Sequence, residues 1–295
     1  MGVSGWLVID KPAGITSARA VALVKRSSGA AKVGHAGTLD PLATGILPLA
    51  LGEATKTARF AAGGRKRYRF RVCWGVATDT DDSDGNIIGG SARRPEAAAI
   101  AAALPSFTGS ILQRPPAYSA IKVAGRRAYA LARAGRPPEL AARRVEISSL
   151  TMIEAAQDEA AFEAVVGEGT YIRSLARDLA AALGTLGHVT ELRRLAVGCF
   201  TDAQAISLDS AVALGHKLAL SEHLLPIETA LDDIPALAVS AEEAGRLRHG
   251  QLVMPQVACR ELADGTIVGA SCERRLVAVA RVERGGLRPL RVINR

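Results

Sequence analysis

Lys66-Arg-Tyr-Arg-Phe-Arg-Val-Cys-Trp-Gly-Val76 alternates strictly, with Tyr68, Phe70, Val72 and Trp74 on one side of an extended chain and Arg67, Arg69 and Arg71 on the other. Successive side chains of a strand point to opposite faces, so this is the clearest strand in the chain. Working outward, Trp6–Asp10, Val145–Ile153 and Phe162–Val166 also read as strands. Ser17 is placed to cap a helix reaching about Arg26. A second helix is expected from Thr170 to Leu183, where Ile172, Leu175, Ala176, Leu179 and Leu183 share one face and Gly184 stops the run. Strands outnumber helices and the two do not alternate regularly. The expected fold is therefore α+β on a mixed or antiparallel sheet, not a doubly wound one.

Two stretches stand apart. Residues 113–144 are dense in Arg and Pro, carry Tyr118 and Tyr129, and have Glu139 as their one acidic residue. They read as an insertion that lies on something anionic. Near Leu231–Pro235 the pattern suggests a linker. Ser240 and Glu243 then form a capping box for a helix ending near Gly250, and short β-like runs follow, separated by Asp264-Gly265 and Gly285-Gly286. The expected division is a main domain over 1–232 and a small β-rich domain over 233–295.

Of the 295 residues, 48% are hydrophobic and 22% charged, which excludes disorder as the dominant state. The formal charge of +8 makes a polyanion the leading class of partner. Cys73, Cys199, Cys259 and Cys272 form no C-x-x-C pair, and the five histidines fit no metal-binding spacing. No metal is expected. The amino-terminal apolar run is too short for a signal peptide and no stretch approaches a membrane span, so a soluble, cytoplasmic protein is expected.

The usual catalytic signatures are missing: the chain has no P-loop, no G-x-S-x-G, and only an incomplete dinucleotide fingerprint at Gly167-Glu-Gly169. The acidic run Asp79–Gly85 fits a calcium loop poorly and reads as a solvated turn. What remains is the Gly-rich stretch 29–45, a long structured loop without a sustained period, of the kind that is usually functional. It holds His35 and Asp40. By spacing alone, Asp40 before Pro41 could simply form an Asx-type turn or cap a helix.

The string Gly34-His-Ala-Gly-Thr-Leu-Asp-Pro-Leu-Ala-Thr-Gly-Ile-Leu-Pro48, with Asp10-Lys11-Pro12, Lys66-Arg-Tyr-Arg69 and Gly169-Thr-Tyr-Ile-Arg173, resembles the bacterial tRNA pseudouridine synthase B family, which modifies uridine 55 in the T loop. The resemblance spans nearly the whole chain, strongly from about residue 5 to 200 and more weakly over the last sixty or so. Ala36 stands where a threonine is often seen. What the resemblance implies is a pseudouridine synthase catalytic domain carrying the basic insertion, followed by a PUA-like RNA-binding domain. It also implies a cofactor-free isomerisation: the N1–C1′ bond breaks and C1′ rejoins C5 of the same base, with no change of oxidation state and no phosphate donor.

The same resemblance makes Asp40 the essential carboxylate, comparable to the nucleophile of a retaining glycosidase. Attack at C1′, attack at C6 of the base and assisted elimination all remain open. Arg173 is expected against Asp40, because a guanidinium favours an ionised carboxylate beside it, although by position it could be a surface residue near a helix start. Tyr68 is implied to stack on the uracil and help remove the C5 proton, against the plain reading of a core tyrosine. Tyr171 and Leu192 are implied to line the pocket, with ordinary packing as the alternative for Leu192. His35 is implied to fill the gap left by a flipped base. Lys122, Arg126, Arg127, Arg133 and Arg136, with Arg193 and Arg194 nearer the pocket, are expected to contact phosphates. The partner implied is the T arm of tRNA, with no membrane and no protein partner, and the expected state is a monomer. A non-catalytic tRNA chaperone and a synthase acting on another RNA are the rival readings.

Overall fold

The computed structural model describes residues 3–215, 217–255 and 262–294. Its centre is a ten-stranded mixed sheet. Along it run Ala205–Ser207, Gly5–Lys11, Thr44–Leu51, Gly187–Val197, Lys66–Trp74, Glu159–Val166, Arg143–Ala155 and Gly109–Gln113, in that order. Most neighbours are antiparallel. The Gly5–Lys11/Ala205–Ser207 and Thr44–Leu51/Gly187–Val197 pairs are parallel. The expected α+β class on a mixed sheet is what the chain adopts.

The Lys66–Trp74 strand carries its alternation into the structure. Tyr68, Phe70, Val72 and Trp74 are buried in one core with Leu39, Ala43, Ile172 and Leu192. On the opposite face Arg67 and Arg69 lie beside Glu163, and Arg71 meets Glu154, Glu159 and Glu191. The Gly5–Lys11 strand is instead buried on both faces: Leu7 and Ile9 join this core, Trp6 and Val8 a second one.

The first helix, Ser17–Ser28, differs in its cap. Thr16 accepts from the Arg19 amide at 3.1 Å, which leaves Ser17 inside the helix and turned inward. The second expected helix runs Ile172–Ala182, with Gly184 in the left-handed conformation after it. The 29–45 stretch is not wholly loop, because Val33–His35 pairs with Thr44–Leu51.

Residues 114–142 interrupt two adjacent strands of the main sheet, Gly109–Gln113 and Arg143–Ala155. They form a two-stranded hairpin, Lys122–Val123 with Arg126–Arg127, and a short helix, Ala128–Arg133. Near the carboxyl end, the helix Ala241–Arg248 starts at the capping box of Ser240 and Glu243. It packs on a four-stranded sheet ordered Ala236–Ala238, Ile267–Cys272, Arg275–Glu283 and Gly286–Val292. Leu276, Val279 and Ile293 of this unit enter the second core beside Trp6, Val8, Ile46 and Phe200, so the β-rich unit is fixed to the back of the main sheet. Lys56 Nζ to the Val292 carbonyl at 2.7 Å adds a polar tie.

Candidate active site

Asp40 sits on a loop held from several sides. Ser17 Oγ donates to the Leu39 carbonyl at 3.0 Å and accepts from the Leu39 amide at 2.8 Å. The Gly14 amide donates to the Pro41 carbonyl at 2.8 Å. Lys11, wholly buried, donates to the carbonyls of Pro12 and Ile15 at 2.8 Å each and to that of Pro41 at 3.4 Å. Burial pulls its pKa down to about 8, with Asp40 opposing the shift and Arg194 adding to it.

Arg194 holds the other limb of the loop. Only 1% exposed, it donates through Nε to Ile46 O at 2.8 Å, through Nη1 to Thr38 O at 3.3 Å and through Nη2 to Gly37 O at 3.0 Å. The expectation that Arg194 contacts phosphate is therefore corrected: its donors are committed to carbonyls inside the protein. The approach is close. Gly45, with φ +99°, pairs with Arg194, and a Cβ there would lie 2.2 Å from the Arg194 carbonyl oxygen.

Arg173 arrives from the helix Ile172–Ala182. Its Nε lies 2.9 Å from Asp40 Oδ2 and 3.5 Å from Asp82 Oδ2. Nη1 donates to the Thr80 carbonyl at 2.7 Å and Nη2 to the Tyr118 carbonyl at 2.9 Å. The Arg173 side chain is 4% exposed, that of Asp40 34%. The guanidinium is thus a fixed anchor and the carboxylate is the accessible partner.

The acidic run is not the solvated turn expected from sequence. Asp82 is buried, accepts from Thr80 Oγ1 at 2.6 Å and from the Asp84 amide at 3.1 Å, and faces Arg173. Burial pushes its carboxyl upward, against the opposing pull of Thr80 and Arg173. Asp81 is also largely buried and pairs with Arg177 at 2.8 Å. The reason is topological: the Asp81 carbonyl accepts from the Val189 amide at 3.1 Å and the Ser83 amide donates to Val189 O at 3.0 Å, so the turn is stitched to the main sheet.

The other side chains singled out in the sequence take up varied positions. Tyr68 and Leu192 are buried in the same core as Leu39, and Leu192 pairs with Phe70 across two strands. Tyr171 caps the Arg173 helix and carries the Arg143 guanidinium 5.3 Å from its ring centroid. His35 ends its short strand opposite Leu49. Its ring is held below the usual imidazole pKa by burial and then by Arg194, and Nδ1 is buried with no partner among the described residues. Arg193 makes a bidentate pair with Asp10, at 3.0 and 2.7 Å. Lys122, Arg126, Arg127, Arg133 and Arg136 are exposed on the inserted arm.

Sequence reading missed Ser17 as a loop clamp, Asp82, and Gln113. The buried Gln113 side chain brackets the Tyr171 backbone, accepting from its amide at 2.8 Å and donating to its carbonyl at 3.1 Å. Only the density of polar residues at 79–84 could have signalled any of them. Among the described residues no group of three His, Cys, Asp or Glu is placed to hold a metal ion, and no helix is long and apolar enough to cross a membrane. Cys259 and His216 lie outside the described residues.

Two solved structures share this architecture. The archaeal box H/ACA sRNP Nop10–Cbf5 complex aligns with a TM-score of 0.75 at 24% identity, covering 98% of this chain and 86% of that one. A Cbf5–Nop10–Gar1 complex aligns at 0.77 and 25%, covering 98% and 85%. The fold is that of the pseudouridine synthases, a class of isomerases. The model of the TruB family pseudouridylate synthase N-terminal domain matches residues 25–172, and that of the tRNA pseudouridylate synthase B C-terminal domain matches residues 173–232. The chain is 54% identical over 298 residues to the tRNA pseudouridine synthase B of Rhodospirillum rubrum, covering 99% of this chain and 97% of the relative. With that of Caulobacter vibrioides the identity is 50% over 299 residues, covering 99% and 96%. This chain belongs to the TruB family of pseudouridylate synthases.

Proposed function

We propose that the enzyme converts uridine 55 in the T loop of tRNA to pseudouridine, with Asp40 as the essential carboxylate. The observation that carries this reading is the accessible Asp40 carboxylate paired at 2.9 Å with an Arg173 that is itself locked by two carbonyls. The relatives' names support tRNA as the substrate, and the resemblance of the Gly34–Pro48 string supports the position. In the reaction the N1–C1′ bond breaks, C1′ bonds to C5, C5 loses its proton and N1 gains one; atoms and charge balance without a co-reactant. A carboxylate held rigidly but left half-open can meet a flipped nucleoside without a reorganisation step.

Around it, Tyr68 stacks on the uracil and assists departure of the C5 proton, while Tyr171 and Leu192 close the pocket. His35 fills the stack that the base leaves. A neutral, half-buried imidazole suits that role, because filling a base stack needs a flat surface and no charge. Lys122, Arg126, Arg127, Arg133 and Arg136 lie along the phosphates of the stem-loop, with Arg193 near the pocket. The enzyme works as a monomer in the cytoplasm without a protein partner.

The test is Asp40→Asn with a T-arm hairpin labelled at C5 of the target uridine. The expected result is retained fold and RNA affinity with no release of label. Wild-type turnover by that variant, or a wild-type protein that binds the hairpin and never releases label, overturns the reading.

A further inference from the structure

The root of the inserted arm is sewn to the catalytic helix at three points. Gln113 brackets the Tyr171 backbone, Arg173 Nη2 donates to the Tyr118 carbonyl, and Arg177 Nη2 donates to the Arg114 carbonyl at 2.8 Å. Arg173 and Arg177 are four residues apart on one helix and so project from the same face. Between the two carbonyls they hold lie Pro115 and Pro116, both buried, which stiffen the root.

The same two arginines grip the acidic turn alternately. Arg173 takes the Thr80 carbonyl and the Asp82 carboxylate, and Arg177 Nη1 takes the Asp81 carboxylate at 2.8 Å. Asp81 adopts a left-handed backbone, φ 61°, a conformation unusual for a residue other than glycine. Arg177 Nε also meets its neighbour Asp178 at 2.9 Å. A helix-surface arginine serving stability alone needs only that last bond. Arg177 Nη1 goes to the turn, and Nη2, which also lies 2.9 Å from Asp178 Oδ1, reaches the arm.

We propose that Arg177 is a positioning residue: with Asp81 it latches the root of the 114–142 arm to the helix that carries Arg173, so that the arm meets RNA in fixed register with Asp40. This role presupposes that the arm is the RNA-contacting element proposed above. Loss of the latch removes one of the three ties and loosens the arm on the two that remain, Gln113 to Tyr171 and Arg173 to Tyr118, while Arg173 keeps its own bonds to Asp40 and Thr80. The effect therefore falls on capture of RNA and not on the chemical step.

The experiment uses the full chain with Arg177→Gln, Asp81→Asn and the double variant. In RNA-free protein, trypsin should cut after Lys122, Arg126, Arg127 and Arg133 about tenfold faster than in wild type, the size expected for losing one charged hydrogen bond from a local opening equilibrium. With the T-arm hairpin, KM should rise about tenfold while kcat stays within about threefold. The double variant should be no worse than the more severe single one, since both break one latch. A folded Arg177→Gln protein with wild-type cleavage rate and KM overturns the proposal, as does one that loses kcat at unchanged KM. If Arg177→Gln does not fold, Asp81→Asn decides, and unchanged cleavage of that variant overturns the proposal. If wild type itself never modifies the hairpin, the proposed function fails, while the RNA-free cleavage rates still decide the latch.

Discussion

Arg173 Nε stands 2.9 Å from Asp40 Oδ2 across 133 positions of sequence, and the two side chains differ sharply in exposure. The arginine is enclosed by Asp82, Thr80 and Tyr118, whereas the aspartate sits on a loop clamped only through its backbone neighbours. One member of the pair is therefore immobile by construction, and the other is held at the edge of the site by that immobility.

Arg173→Lys should keep the charge and lose the fork that hydrogen-bonds Asp40, Thr80 and Tyr118 at once. We expect kcat to fall by about a hundredfold or more, since each hydrogen bond to a charged group is worth roughly 1.5–3 kcal/mol. Single-turnover release of the C5 hydrogen measures this; a change below threefold contradicts the anchoring role.

Arg194→Met should act on stability. It leaves the buried Ile46 carbonyl and the partly exposed Gly37 and Thr38 carbonyls without their donor, a loss of about 1–3 kcal/mol in unfolding free energy by denaturant titration. The salt dependence of hairpin binding should stay as in wild type. A shallower salt slope would return Arg194 to the RNA interface.

Removing the exposed cations of the arm should do the reverse. Alanine at Lys122, Arg126, Arg127, Arg133 and Arg136 should leave the denaturation midpoint nearly unchanged. The slope of log affinity against log salt should shrink by about 0.7–0.9 for each phosphate that is no longer neutralised. Fluorescence anisotropy across a salt series reads it directly, and binding that ignores salt contradicts the assignment.

Lys11 supplies a pH signature. Its native pKa is near 8 against 10.5 unfolded, so between those values the unfolded chain holds a proton that the native state has released. Stability then rises with pH across that window, and the penalty of burying the ammonium applies in full below it. Denaturant titrations from pH 7 to 10.5 should show this rise in wild type and lose one proton's worth of slope in Lys11→Met. Equal slopes would show that Lys11 does not titrate there.

Local chemistry was enough to find much of this protein. The alternation of Lys66–Trp74, the apolar face of Ile172–Ala182 and the capping box at Ser240 depend on near neighbours, and each element forms where its pattern lies. The 34–48 string singled out the loop that carries Asp40. Charge was also visible, but not its use. Arg193 and Arg194 look alike in sequence, yet one is half-exposed against Asp10 and the other is sealed on three carbonyls.

From sequence alone came several of the elements, the class of sheet, a polyanionic partner as expectation, and the loop that carries Asp40; the sheet strands Thr44–Leu51, Gly187–Val197 and Gly109–Gln113 did not. Only the tertiary structure decided that Asp82 is buried, that Ser17 clamps the loop where it could have capped a helix, and that Gln113, Arg173 and Arg177 join an inserted arm to the helix Ile172–Ala182. The reason is range. Propensity and periodicity act over a few residues, whereas the burial of a charge and the identity of its partner are set by strands that meet only once the sheet has closed.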